Sequence, residues 1–291
     1  MKNGSGWLVL AWVVLSASSR LGEAVDIVKG GTPLTTIVLP DAPKAEEKAA
    51  AGELAAYLEK MTGARLEQKP PAQAGAGPRI HVGLTAFVAQ QKLGLEKLDW
   101  DGFVMKTVGT KDLILAGRNP HGTEFAVYRF LHKYGGVRWF IPTELGEHVP
   151  KRPDFSVPSA DDVEQPHFKS RQWSSAAPFD RGVWEKRNLI RARYKFHHNL
   201  LHVFVPSKLY DQNPDWFPLI SGKRYKPRDD GHDWQPCFSN PAVAKYAAEV
   251  IIKAFDANPG LTSFSLGIND SNAYCQCEAC QALDPPGKPT F

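Results

Sequence analysis

Cysteine is scarce in this 291-residue chain: there are four, all between positions 237 and 280. Long apolar runs are missing as well. None reaches the ~18–20 residues that a membrane-spanning helix needs, so no transmembrane domain is expected. Neither sign of charge dominates: 35 basic and 31 acidic side chains give +4. They form no basic tract, which argues against a nucleic-acid partner. The chain has no glycine loop of Walker or dinucleotide spacing, so neither a nucleotide cofactor nor hydride chemistry is implied. It has no Gly-x-Ser-x-Gly elbow either, which disfavours a serine hydrolase. What is present is 43% hydrophobic and 23% charged, which excludes a disordered or collagenous chain. Eight Trp, eight Tyr and fifteen Phe supply flat faces that suit sugar rings as well as cores. The length suggests about two domains, each large enough to bury a core.

The opening MKNGSGWLVLAWVVLSASSRLGEA sets Lys2 before an apolar stretch, Trp7 to Leu15, and then small residues. That order reads as a signal peptide over residues 1–24, with cleavage after Ala17 or Ala24. The alternative is a buried N-terminal strand or helix. Export makes the mature protein secreted or periplasmic, leaves no membrane span after signal removal, and exposes the thiols to an oxidising compartment.

Residues 35–150 read as one α+β domain. Thr35–Pro40 is a β-branched strand. Leu54, Tyr57, Leu58 and Met61 then recur at helical spacing, and Gly63 fits a C-cap. Arg79–Leu84 is a second strand, and GFVMKTV and DLILAG form a hairpin around Gly109-Thr110-Lys111. Asn119 caps a second helix with Pro120 in its first position. Val127, Phe130, Leu131 and Tyr134 give that helix an apolar face, and VRWFIP follows as a strand. Residues 151–166, rich in proline and acids, read as a linker. Beyond it, Phe168–Trp173, Asn199–Pro206 and Thr262–Ile268 read as strands. They alternate with a helix-like stretch from Val183 to Phe196 and a helix opened by Asn240-Pro241, which predicts parallel β/α units. A (β/α)8 TIM-type barrel needs about 200–250 residues. Residues 167–291 are therefore expected to hold about three units of a truncated barrel. The fold class is α/β: an α+β accessory domain followed by that partial barrel.

Two stretches resemble known modules. TIVLPDAPKAEEKAAAGELAAYLEKMTGARL and LILAGRNPHGTEFAVYRFLHKYGGVRWFIPTELGEHVP resemble the N-terminal accessory domain of bacterial alpha-glucuronidases and beta-hexosaminidases. From Phe168 onward, NPDWFPLISGKR, QPCFSNPAV and SLGINDSNAYCQCEAC look like an uncharacterised domain family often fused to that module in secreted bacterial proteins. The resemblance implies a glycoside-hydrolase-like barrel behind the accessory domain, with a carbohydrate substrate or ligand.

Barrel sites lie at the C-terminal ends of strands. That rule selects Arg171 and Trp173 on the first strand, His202 on the second, and Asn269 and Asp270 beyond the third. Glycoside hydrolysis usually takes two carboxyl groups. Asp270 is the candidate general acid/base or substrate-anchoring group, against the alternative that Asn-Asp-Ser caps a turn. The resemblance to hexosaminidases implies adjacent acids here, and Asn269 breaks that pair. Arg171 resembles the first-strand arginine with which hexosaminidases grip sugar hydroxyls, and its planar fork suits vicinal hydroxyls or a uronate carboxylate. A salt bridge to linker acids is equally open. His202 can hydrogen-bond a sugar or sit satisfied in a core. Trp216 and Trp234 can stack on sugars or fill the core.

Cys237, Cys275, Cys277 and Cys280 form a cluster dense enough for a closed structural zinc site. Two disulfides or free thiols are the alternatives, and His232 is a possible substitute ligand. No cofactor is expected for catalysis; the cluster orders the Asp270 loop.

Overall fold

The computed structural model describes residues 24–173, 181–194, 197–285 and 287. The expected signal peptide lies almost wholly outside them. Within them, no helix is long and apolar enough to cross a membrane. The described residues divide into two compact units. Unit one holds residues up to 168 together with 173–190, and unit two holds 169–172 and residues from 191 onward.

Unit one contains eleven strands and four helices. In chain order these are β1 (Val25–Lys29), β2 (Thr32–Pro33), β3 (Thr36–Val38), α1 (Ala45–Thr62), β4 (Gln68–Lys69), β5 (Arg79–Val82) and α2 (Ala86–Gln90). There follow β6 (Phe103–Val108), β7 (Asp112–Gly117), α3 (Pro120–Lys133), β8 (Arg138–Trp139), β9 (Glu147–His148), β10 (Phe155–Val157), β11 (Asp161–Glu164) and α4 (Arg181–Arg187). The main sheet has the order β11-β6-β7-β5-β3-β4. Its β4, β3, β5 and β7 are parallel, β6 runs against them, and β11, antiparallel to β6, runs with them again.

The central parallel strands β5 and β7 are buried on both faces, which is why DLILAG reads as a run and not as an alternation. Ile37, Ile80, Leu113 and Leu115 meet α1 and α3 on one face. Ile114 and Ala116 meet Val88 of α2 on the other. Helix α1 presents the expected Leu54, Tyr57, Leu58 and Met61, all buried. It stops at Gly63 in the left-handed region, φ 79°, whose N–H donates to the Glu59 carbonyl. Asn119 Oδ1 accepts the Gly122 N–H at 3.0 Å and so starts α3 behind Pro120.

Residues 151–166 are not a linker. β10 pairs with β1 and β11 with β6. Phe155 and Val157 are buried. The acids meet α3: Glu164 takes Arg129, and Asp162 takes Lys133 and Tyr134. Prolines punctuate two short edge strands here instead of marking a flexible joint.

Buried His81 lies on β5. Its Nε2–H donates to Asp112 Oδ1 at 2.8 Å, its Nδ1 meets the Thr85 hydroxyl at 3.1 Å, and its ring stacks on Phe87. Burial lowers its pKa, and the hydrogen bond to Asp112 offsets this only in part. The contact is therefore a hydrogen bond from an uncharged imidazole to a carboxylate rather than an ion pair. With the folded pKa depressed, the unfolded chain takes the proton first, at about 6.5. The stability held in neutral His81 is complete above that pH and is lost as pH falls below it. The urea midpoint of the full chain is expected to drop between pH 7 and 5.5, and to drop less in His81→Gln. Equal slopes for both proteins would remove His81 as the cause.

Unit two is built differently from the sequence expectation. Its elements are α5 (Leu200–Val203), α6 (Pro206–Leu209), β12 (Leu219–Ile220), β13 (Lys223–Arg224), α7 (Pro241–Ala257) and α8 (Glu278–Gln281). The stretch 199–206 is a short helix followed by another, not a buried strand. The stretches 168–173 and 262–268 contribute only single bridges, Arg171 to Arg191 and His198 to Gly267. The helix-like stretch after Val183 ends at Arg187 as α4 in unit one, and its last residues, 195 and 196, lie outside the described set. Among the described residues of unit two, the parallel β/α units do not form. Local side chains hold the backbone groups that a ladder would use: Asn199 Nδ2 donates to the Ser265 carbonyl, and Ser265 Oγ donates to the His197 carbonyl. A core of Leu200, Leu201, Val203, Phe204, Phe217, Trp234 and Val243 holds the unit together.

Candidate functional site

The turn after Gly267 is held by a dense set of hydrogen bonds within unit two. Gly267 bridges His198 in parallel, and a Cβ on it would sit 2.3 Å from the His197 carbonyl oxygen, so glycine alone permits this approach. His198 Nδ1 donates to the Ile268 carbonyl at 2.6 Å, which leaves its Nε2 free to act as an acceptor. Its exposed ring meets exposed His232 edge to face at 5.5 Å.

Asn269 is 1% exposed and ties three segments together. Its Oδ1 accepts the Leu201 N–H at 3.0 Å, and its Nδ2 donates to the Trp234 carbonyl at 2.9 Å. Its own N–H donates to Gln235 Oε1, while Gln235 Nε2 donates to the carbonyls of Asn269 and Ser271. The amide expected to touch substrate is therefore spent on backbone. The next residue, Asp270, is exposed. The turn thus ends in an exposed Asp270, with His198 of a separate segment tied to it through Gly267 and Ile268.

The other expected site residues are not gathered here. His202 is exposed on helix α5 and not on a strand end. Trp216 is half-buried against Tyr246 at 5.1 Å and Phe204 at 6.4 Å, a core position. Trp234 is fully buried and donates to the Gly231 carbonyl. Arg171 bridges Arg191 in unit two, whereas Trp173 belongs to unit one, so no single strand presents both. Trp173 is 52% exposed and meets Trp184 edge to face. Trp184 in turn helps line a cavity of about 260 Å³ in unit one, with Trp139, Ile141, Glu144, Glu147 and Arg187. The sequence does not single out His198. Its place beside the 268–270 turn depends on a bridge between residues 69 positions apart, which no local pattern reveals.

Behind the turn lie the cysteines. Cys237, Cys275, Cys277 and Cys280 are all free thiols, with their sulfurs within 4.8 Å of one another. Cys237 Sγ is 3.7 Å from both Cys277 Sγ and Cys280 Sγ. Three chain segments converge on them. The Leu219 N–H of β12 and the Arg224 guanidinium of β13 point at Cys275 Sγ, at 3.3 and 3.7 Å. Ser239 Oγ, ahead of α7, lies 3.0 Å from Cys280 Sγ. Cys277 sits at the N-cap of α8. Burial pushes the Cys275 thiol up to about 12. At Cys277 burial also pushes upward, but hydrogen bonds from Ser239 and from the Cys280 N–H prevail and bring it to about 6. Four sulfurs this close could bind a metal ion. His232, offered by the sequence as a substitute ligand, meets His198 edge to face instead.

The family model "Domain of unknown function (DUF4838)" matches residues 141–288, just over half of the chain. No curated protein matches the chain significantly. Among solved structures, a family GH115 4-O-methyl-alpha-glucuronidase with specificity for decorated arabinogalactans aligns at 16% identity and TM-score 0.40, over 50% of this chain and 19% of that one. A Streptomyces plicatus beta-hexosaminidase aligns at 16% identity and TM-score 0.34, over 52% of this chain and 25% of that one. A Flavobacterium johnsoniae chitobiase aligns at 12% identity and TM-score 0.31, over 66% and 24%. The chain thus spans a quarter or less of the length of these enzymes.

Proposed function

We propose, for a chain that belongs to the DUF4838 family, an exported glycoside-hydrolase-like protein that acts on O-glycosidic bonds of complex polysaccharide or glycan. Its chemistry would be alpha-glucuronidase- or beta-hexosaminidase-like. The observation that carries this reading is the pairing of a locked Asn269 with an exposed Asp270. A carboxylate that must donate a proton, or grip a hydroxyl, has to be held in place by groups that do not themselves move. The Asn269–Gln235 hydrogen bonds supply that hold. His198, with its Nε2 available as an acceptor, can take part in the same contacts. The thiol cluster enters as a support: a closed set of four sulfurs leaves no open position for chemistry.

A second reading, a non-catalytic carbohydrate-binding or scaffold protein of the same family, has its own support. The residue beside Asp270 is an amide already committed to backbone, so no adjacent acid pair stands at this turn. The unit-one cavity, with indole, carboxylate and guanidinium walls, offers the groups on which a neutral sugar ring can rest.

Asp270→Asn separates the two. On a panel of aryl glycosides, the full chain is expected to turn over at least one substrate. The variant should lose about a hundredfold or more of that rate, the usual contribution of a general acid or base. Its urea midpoint should be unchanged. Undiminished turnover would remove Asp270 from catalysis. Glycan binding without any turnover would favour the binding protein.

A further inference from the structure

We infer that Cys237, Cys275, Cys277 and Cys280 hold one zinc ion as a closed, tetrahedral structural centre, with Arg224 as its outer-sphere cation. The inference rests on the thiol geometry and is independent of what the chain acts on. A tetrahedral zinc with Zn–S bonds of ~2.3 Å sets its sulfurs ~3.8 Å apart. Cys237 lies 3.7 Å from two of its partners, and no pair of the four exceeds 4.8 Å. A disulfide would need two sulfurs at ~2.05 Å, and all four cysteines are free.

The surroundings suit a charged centre better than four neutral thiols. On binding, each cysteine still protonated loses its S–H proton to solvent and four Zn–S bonds form, with no change of oxidation state. Four thiolates and one Zn²⁺ carry a net charge of −2. A guanidinium and a backbone N–H already aim at Cys275 Sγ, and Ser239 Oγ lies within hydrogen-bonding reach of Cys277 and Cys280. Such donors hold ligands in place and temper their charge.

The ligands also come from both sides of the region that carries Asp270. Cys237 lies two residues after Gln235, and Cys275 follows the 269–271 turn. Outside the coordination sphere, the Gln235 N–H donates to the Ala273 carbonyl, and the Gln276 N–H donates to the Leu219 carbonyl. One ion would fasten the hairpin, the approach to α7 and the Asp270 turn to a single point. All four positions go to thiolate, so the centre has none left for substrate or water. Soft thiolates in a tetrahedron suit zinc, which also binds more tightly than iron(II) in such a set.

The test is elemental analysis of the full chain, purified under reducing conditions without chelator. One zinc per chain is expected, released when an organomercurial titrates the thiols. After exchange with cobalt(II), the intense visible bands of a tetrahedral thiolate complex should appear. Cys237→Ser and Cys280→Ser should fall well below one zinc. In case those variants fail to fold, Arg224→Gln supplies a milder probe: it should keep one zinc at saturation but bind it about tenfold more weakly. Three results would each overturn the proposal: no zinc bound even after zinc is added to the reduced chain, iron in its place, or an intact mass short of four hydrogens, which marks two disulfides.

Discussion

Replacing Asn269 with alanine is expected to lower unfolding stability by about 3 kcal/mol, because a buried group stripped of its partner costs ~1–3 kcal/mol and two are stripped at once. The Leu201 N–H and the Trp234 carbonyl both lose the amide that bridges them, and Leu201, Trp234 and Asn269 are all buried. Water cannot readily replace the amide in a position 1% exposed. Asn269→Asp is the sharper variant. It sets two acids side by side at the turn, and it keeps an acceptor for Leu201. It also sets a carboxyl oxygen against the Trp234 carbonyl, where two acceptors repel unless the acid stays protonated. It should therefore destabilise at neutral pH and recover as the pH is lowered. Asp270→Asn, one residue away but exposed, should change stability by less than about 0.5 kcal/mol. Urea denaturation of the three full-length variants, followed by far-UV circular dichroism, checks the set. If Asn269→Ala matched the parent, the amide would not be a structural tie and would again be open to a ligand.

That contrast marks what could be read from the sequence alone. Helices α1 and α3 were legible because their apolar spacing, Asn119 and Gly63 all act within a few residues of one another. Residues 151–166 were not. Their acids look solvated until Arg129, Lys133 and Tyr134 of α3 are brought across from nearly thirty or more positions away. NLLHVFVP is an eight-residue apolar run, a length at which strand and buried helix cannot be told apart. The structure closes it as a helical turn, with the His202 and Val203 N–H groups on the Asn199 carbonyl. The strand-like contact falls one residue earlier, at His198. The cysteine cluster was visible as a spacing, but spacing alone does not distinguish thiols 3.7 Å apart from thiols that are bonded. At Asn269 and Asp270 the residue types were visible and their directions were not. Whether an amide faces a ligand or a backbone is settled only by what folds around it.

Gly117→Ala is expected to destabilise the full chain by about 3 kcal/mol, the upper end for forcing volume into a packed site. A Cβ there would lie 2.2 Å from the carbonyl carbon of Gly122 and 2.3 Å from the Thr123 nitrogen. Both are backbone atoms and cannot rotate away as a side chain could. Helix α3 cannot retreat either. Phe125, Ala126 and Phe130 fix its inner face in the core, and Thr123 Oγ1 already accepts the Gly117 N–H. Gly122 is under the same constraint from the other side, since its own Cβ would lie 2.7 Å from the Gly102 carbonyl. Gly52 is the matched control. It lies inside α1 with nothing within 4 Å of a built Cβ, so Gly52→Ala should stabilise by up to about 1 kcal/mol through helix propensity alone. Opposite shifts of the urea midpoint in the two variants are the expected outcome. Equal shifts would mean that the β7–α3 junction has slack. The two glycines of the Gly-Arg-Asn-Pro-His-Gly-Thr run are thus required by a strand end and a helix start meeting backbone to backbone. A stretch that carries family resemblance through such a junction reports how the domain is packed. The catalytic site proposed above lies in unit two, at the turn that carries Asp270.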